Sequence, residues 1–205
     1  MFSRDITLNT VKITDLRPTQ ISVGLHEVQA KRHHWKAVRE NENKATDFIQ
    51  THMIPVVLGP KSNHYIIDHH HLARALLEEG VDGVLVTVVA DLSALSKSSF
   101  WVYMDNRGWC HPYDNEGVRR DFNDIPKAIA NLSDDPYRSL AGALRLSGGF
   151  AKDTTPFSEF IWADFLRSRI NQKKIAKDFE SALNQALNLA KSKAAGYLPG
   201  WCGPT

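Results

Sequence analysis

The sequence predicts an α+β protein in which strands and helices alternate through the first half and helices dominate the second. Three observations predict it. Two β-branched, apolar runs, "IPVVLGPKSNHYIID" and "GVLVTVVAD", read as strands. Between them "HHHLARALLEE", residues 69–79, reads as a helix ended by Gly80. Beyond Asp91, apolar residues recur at helical rather than strand spacing. The predicted division is a core over 1–91 and a helical extension over 92–205 packed on it.

Taken in chain order, "VKITDLRPTQ" alternates at Val11 and Ile13 and turns at Pro18, giving a short strand. Leu25, Val28, Trp35 and Val38 keep helical spacing, with Ser22 as the expected cap. A shorter helix is expected over Thr46–His52. The "IPVVLGPKSNHYIID" stretch then folds on itself as a hairpin through Gly-Pro-Lys-Ser-Asn. In the second half, "LSKSSFWVYMD" is apolar and aromatic and leads into the polar loop "NRGWCHPYDNEG". "PFSEFIWADFLRSRI" places Phe157, Phe160, Ile161, Asp164 and Phe165 on one helical stripe. "KIAKDFESALNQALNLAK" reads as one helix with Ile175, Phe179, Leu183 and Leu187 in register. The Gly/Pro-rich end, "GYLPGWCGP", is expected as surface coil or as an arm packed back by Trp201.

Composition excludes several classes. With 205 residues, 42% hydrophobic and 23% charged, the chain can bury a sizeable core. A formal charge of +2, with bases and acids interspersed, does not by itself argue nucleic-acid binding. No run approaches the roughly 20 apolar residues needed to span a bilayer, so no membrane partner is expected. The start, "MFSRDITLNTVKITDL", lacks the apolar core of a signal peptide. Cys110 and Cys202 stand far apart without CxxC spacing, so neither a zinc ribbon nor a disulfide scaffold is implied. A reduced, cytoplasmic setting is the expectation.

The chemistry concentrates in "YIIDHHHLARAL", Tyr65 to Leu76. Three successive histidines cannot form one flat metal face on a helix, because neighbours point about 100° apart. A strand, a polar turn and a helix start, however, bring backbone N–H groups and the positive end of the helix dipole together, which suits an anion. Asp68 ends the strand, His69, His70 and His71 occupy the turn and first helical positions, and Arg74 lies one turn on. A phosphate there could meet imidazoles and a guanidinium together. Three readings stand open on the residues alone: a phosphate site, a His/Asp metal site using Asp68, and a solvated helix start with Arg74 paired to Glu78 at i,i+4. Farther off, Glu27 is a candidate base or magnesium ligand. The loop carrying Arg107, Trp109, His111 and Tyr113 has the residue types that stack a base and hold ribose or phosphate, and equally those of a surface loop anchored by a buried Trp. His33 and His34 share a helix with Lys31 and Arg32 and read as a solvated basic face or a second wall.

Here the residues carry a resemblance. "VKITDLRPTQ", "IPVVLG" and "YIIDHHHLARAL" resemble the successive boxes of the ParB N-terminal domain, shared with sulfiredoxin. The last resembles the Gly-Glu-Arg-Arg-x-Arg-Ala pattern that follows an Ile-Ile-Asp strand end. His69, His70, His71 and Leu72 stand at the Gly-Glu-Arg-Arg positions, and Arg74 and Ala75 match the final Arg-Ala. Other relatives carry Asp-Gly-His-His-Arg there, which matches at Asp68, His70 and His71. The resemblance to the ParB fold covers roughly residues 8 to 91, and the whole chain is most similar to the ParB-like nuclease subgroup.

What the resemblance implies is a small mixed sheet with helices that binds a nucleotide or phosphate ester at residues 66–76, with DNA as a further partner class. ParB proteins hydrolyse CTP as DNA clamps, sulfiredoxin phosphorylates a sulfinic acid from ATP, and a relative phosphorylates free serine. This sequence departs from them: His69 replaces the glycine and Leu72 an arginine, and the sulfiredoxin cysteine is absent. No helix-turn-helix follows the core. The expected chemistry is phosphoryl transfer or phosphodiester hydrolysis. Asp68, His70 and His71 would be catalytic, His69 and Arg74 would hold phosphate, and Glu27, Arg107 and His111 would form a second wall. A nucleotide with Mg2+ is the expected cofactor, Asp68 being the metal ligand. The alternative is a non-enzymatic DNA- or protein-binding module on the same scaffold.

Overall fold

The computed structural model describes residues 9–204. The start of the chain, read above as lacking a leader, falls largely in residues 1–8, outside the described ones. In chain order the strands are β1 (Asn9–Lys12), β2 (Leu16–Arg17), β3 (Ser22–Val23), β4 (Ile54–Gly59), β5 (Asn63–Ile66), β6 (Gly83–Asp91) and β7 (Ser133–Asp134). The helices are α1 (Leu25–Arg39), α2 (Glu42–Thr51), α3 (His70–Glu78), α4 (Lys97–Asn106), α5 (Pro136–Leu146), α6 (Ser158–Arg167), α7 (Gln172–Lys177) and α8 (Phe179–Ala190). The chain forms two compact units, one of residues 9–21, 28–112 and 120–132, the other of 22–27, 113–119 and 133–204. The sheet's unit therefore runs past residue 91 to take in α4.

The first unit is built on a five-stranded mixed sheet in the order β1-β6-β4-β5-β2. β4 lies inside it, parallel to β6 and antiparallel to β5. Ile54, Val56 and Val57 are buried there, which is why this strand reads as a nearly continuous apolar run instead of alternating. β6 carries a bulge: Val56 stands opposite Val88 and Val57 opposite Ala90, leaving Val89 unpaired between them. The hairpin read from the sequence is present, with Gly59 opposite Asn63. Its three-residue connection holds Lys61 and Ser62 at positive φ, and the Asn63 side-chain amide donates to the Pro60 carbonyl. A Cβ on Gly59 would lie 2.5 Å from the Tyr65 ring, so only glycine fits beneath that aromatic side chain. Tyr65 packs with Phe100, Trp101, Met104, Cys110, Ile125 and Val57 in one core cluster, which fixes α4 in this unit.

Two sequence expectations are corrected at helix starts. Ser22 does not cap α1, because its backbone is in the β3–β7 ladder, opposite Ser133. Asp134 Oδ1 instead accepts the Leu25 N–H at 2.9 Å, so the cap comes from a residue remote in sequence. The helix expected from Thr46 begins earlier, at Glu42, since Asn41 accepts the Lys44 N–H and caps it.

The second unit packs α5 to α8 around Trp162, Leu140, Leu144 and Leu166. The run expected as one helix breaks into α7 and α8 at Asp178, which leaves helical geometry to accept the Ser181 N–H. Its innermost face is Ala182, Ala186 and Ala190, with Phe179, Leu183 and Leu187 partly buried beside it. Small residues innermost allow neighbouring helices to approach closely. On α6, Phe160 and Phe165 of the expected stripe are buried, but Ile161 is exposed, and Trp162, Ala163 and Leu166 widen the buried face. The terminal arm is packed back: Trp201 Nε1 donates to Ala190 O, and Trp162 Nε1 to Pro199 O. Among the described residues no helix is long and apolar enough to cross a membrane.

α5 is capped by Asp135, a fully buried residue. Asp135 Oδ1 accepts the Tyr137 and Arg138 N–H groups, and Arg167 Nη2 donates to Oδ2 at 3.0 Å. Burial lifts this carboxyl to about 6, against the pull of Arg167 and the two amides. Removing the carboxylate leaves Arg167, only 17% exposed, without its main partner. Asp135→Ala should therefore lower the unfolding free energy at pH 7 by about 3 kcal/mol in urea titrations. The pH sign follows from proton linkage. The folded state holds this proton more tightly than the unfolded chain does. Stability from this group is thus full below the ordinary carboxylate range and falls as pH rises to about 6. The wild-type-minus-Asp135→Asn difference in unfolding free energy should fall across that window and be flat above it; a rise would refute the assignment.

Candidate functional site

The strand–turn–helix expected at 66–76 is formed by β5, the three following residues and α3. Ile67 still donates to Pro55 O at 3.0 Å, so the chain leaves the sheet only at Asp68. Asp68 is exposed and its Oδ1 accepts the His69 N–H at 2.6 Å, a tight local turn. His69 then adopts φ 65°, the left-handed region that the family pattern fills with glycine. α3 starts immediately after it with no side-chain cap at His69.

Basic groups from two other parts of the first unit act on His69 at this turn. His69 Nδ1 is enclosed and has no hydrogen-bond partner among the described residues. Burial holds its imidazole below the ordinary value; Asp68 pulls it back up, while Lys31 on α1 and His52 beyond α2 push it further down. His52 is itself fixed, stacked on Phe48 at 4.1 Å with Nδ1 2.9 Å from Phe48 O. Lys31 and His52 were not singled out as site residues from the sequence. Their signal, a basic residue at a helix face and a histidine at a helix end, is common on any surface.

The remaining predicted residues are placed as follows. His70 and His71 are buried in the first turn of α3. Thr19 N donates to His70 Nε2 at 3.1 Å, and Thr19 Oγ1 donates to Ile66 O at 2.8 Å. His111 joins the same place from the other side, its N–H donating to Thr19 O at 2.8 Å beside a Gln20–His111 bridge. Thr19 and Gln20, both buried, were missed by sequence reasoning, because their contribution at Thr19 is largely through the main chain. Arg74 pairs with Glu78 at 2.6 Å, the i,i+4 partner foreseen. Its Nη1 also reaches the carbonyls of Ile129, Ala130 and Leu132, at 3.3, 2.8 and 3.1 Å. Arg107 ends α4 and lies over the Trp109 ring at 4.7 Å. Glu27 belongs to the second unit, where it pairs with Arg138 at 3.1 Å. Among the described residues no three His, Cys, Asp or Glu side chains converge as a metal site, Asp68 included.

A guanidinium holding three carbonyls should matter more than its exposed ion pair. Arg74→Met is expected to cost about 1 kcal/mol in chemical denaturation, because partly buried acceptors lose their donor. Glu78→Gln is expected to cost about 0.5 kcal/mol. Equal costs would show that the carbonyl clamp contributes nothing.

The fold and site together define a small mixed-sheet α/β protein whose residues of interest gather where a strand turns into a helix. The comparisons agree with that class and narrow it. A family model described as "Putative ParB-like nuclease" matches residues 9–168, and the chain belongs to that family. Among solved structures, it is similar to protein Atu1540 from Agrobacterium tumefaciens. The two are 51% identical over 99% of this chain and 100% of that one, with a TM-score of 0.92. No curated protein matches the sequence.

Proposed function

We propose that the protein binds a nucleotide or another phosphate ester at residues 66–76 and acts in phosphoryl transfer or phosphodiester hydrolysis. One observation carries the reading: His69, at the uncapped start of α3 beside the exposed Asp68, is acted on electrostatically by Lys31 and His52. The positive end of a helix and adjacent cationic or polar nitrogens favour a phosphate at that point. Burial favours the neutral form of His69, whose single ring N–H can donate to a phosphate oxygen without adding a charge of its own. Arg74, engaged with Glu78 and the 129–132 carbonyls, supports the wall of the site from one turn away. Asp68 is the exposed carboxylate at this turn. A nucleotide-bound Mg2+ needs only one or two protein carboxylates, a demand that Asp68 can meet, and the ion would neutralise phosphate charge there.

Thermal denaturation with ATP, CTP, GTP and inorganic phosphate, each with and without Mg2+, tests binding. A ligand present at about 100 times its Kd adds about 2.7 kcal/mol to stability. The expected result is stabilisation by at least one of these, lost in Lys31→Ala and His69→Ala. If none of them raises the melting temperature, the proposal fails. Release of phosphate or cleavage of a phosphodiester, abolished in Asp68→Asn, would support the catalytic part. Salt-sensitive gel shifts with DNA and no turnover would instead favour the binding-module alternative.

A further inference from the structure

The phosphate reading leaves one arrangement unused, on the inner side of α3's first turn. His70 Nε2 lies 3.1 Å from Thr19 N and 3.4 Å from Thr19 Oγ1. A backbone N–H can only donate, so Nε2 must present its lone pair, and the one proton of the neutral ring sits on Nδ1. Thr19 Oγ1 spends its only proton on Ile66 O. Thr19 O is taken by the His111 N–H. Every polar group of one fully buried residue is thus tied, to the end of β5, to the start of α3 and to His111.

We propose that Thr19 and His70 form a positioning pair that sets the register between the 17–21 segment, the first turn of α3 and His111. His70, fixed as the Nδ1–H tautomer, contributes through Nε2 as an acceptor. It is not the group that exchanges a proton with the ligand. Any proton transfer that phosphate chemistry requires at this site falls to another group. That last assignment rests on the proposed phosphate site; the pairing itself does not.

The test begins with the wild-type protein. Long-range 1H–15N correlations of its histidine rings at pH 8 should show His70 with a protonated Nδ1 and a bare Nε2, and the Thr19 amide should be strongly protected from hydrogen exchange. In His70→Gln the side-chain oxygen can reach nearly where Nε2 stood. Thr19 protection and binding of inorganic phosphate should stay within about threefold of wild type. His70→Ala should lose tenfold or more in both, as the loss of about 1.4 kcal/mol implies. A protonated Nε2 in the wild type overturns the pairing, whether or not any variant folds. So does His70→Gln behaving like His70→Ala. If wild type shows the tautomer and the protected Thr19 amide but no response to phosphate, the pair is supported and the phosphate reading alone fails.

Discussion

A threonine buried with no exposure has three polar groups to satisfy and no water to satisfy them. At Thr19 the partners come from three places that the chain reaches at widely separated points: Ile66, His70 and His111. Because an unpaired buried group costs about 1–3 kcal/mol, these contacts hold as a set or fail as a set. The end of β5, the first turn of α3 and the segment around His111 are consequently fixed with respect to one another by a residue that contributes almost no chemistry of its own. One turn farther along α3, Arg74 ties the helix to the 129–132 segment by holding its carbonyls. The turn at Asp68 and His69 is thereby left resting on rigid supports. A functional group is only as well placed as the shell behind it.

The second unit solves the same problem with charge. Asp135 caps α5 while also holding Arg167 of α6, so one carboxylate fixes a helix start and the neighbour it packs on. Arg167 in turn lies over the Tyr137 ring at 4.8 Å, and Arg169 over Phe165 at 3.9 Å. Guanidinium planes on aromatic faces let arginine stems contribute to an otherwise apolar core. That arrangement tolerates polar residues on buried helix faces, as at Arg138 and Ser139.

Much of the first unit was legible in the sequence. β6 matches the β-branched run at 83–91, the hairpin matches its Gly-Pro-bearing connection, and α3 lies within the residues expected before Gly80. These succeed because local preference and burial agree. α5 was not legible: Arg138, Ser139 and Gly142 lie on its buried side and blur the apolar period. The break at Asp178 escaped because the apolar spacing continues through it, while the aspartate's capping bond is a local choice that periodicity does not see. Of the site, the 66–76 turn was visible, but its neighbours were not. Thr19 meets His70 across 51 residues and through its main chain, and Lys31 and His52 are brought near by the packing of α1 and α2. The signal for such contacts lies in the fold and not in the residue types.

The connection between β4 and β5 bears on how the chain assembles. Lys61 and Ser62 both take left-handed conformations that disfavour any residue with a Cβ, at roughly 1–2 kcal/mol each. A hairpin with that burden is a poor starter: its own hydrogen bonds must offset the strain before anything else has formed. β4 also pairs in parallel with β6, across α3, and buries Ile54, Val56 and Val57 on the way. The kinetic nucleus of this unit is therefore better placed in the β4–α3–β6 crossover than in the tight turn that is nearest in sequence. Folding should accordingly be slower than the local geometry of the hairpin suggests, because closure of the longer loop precedes the contacts that reward it.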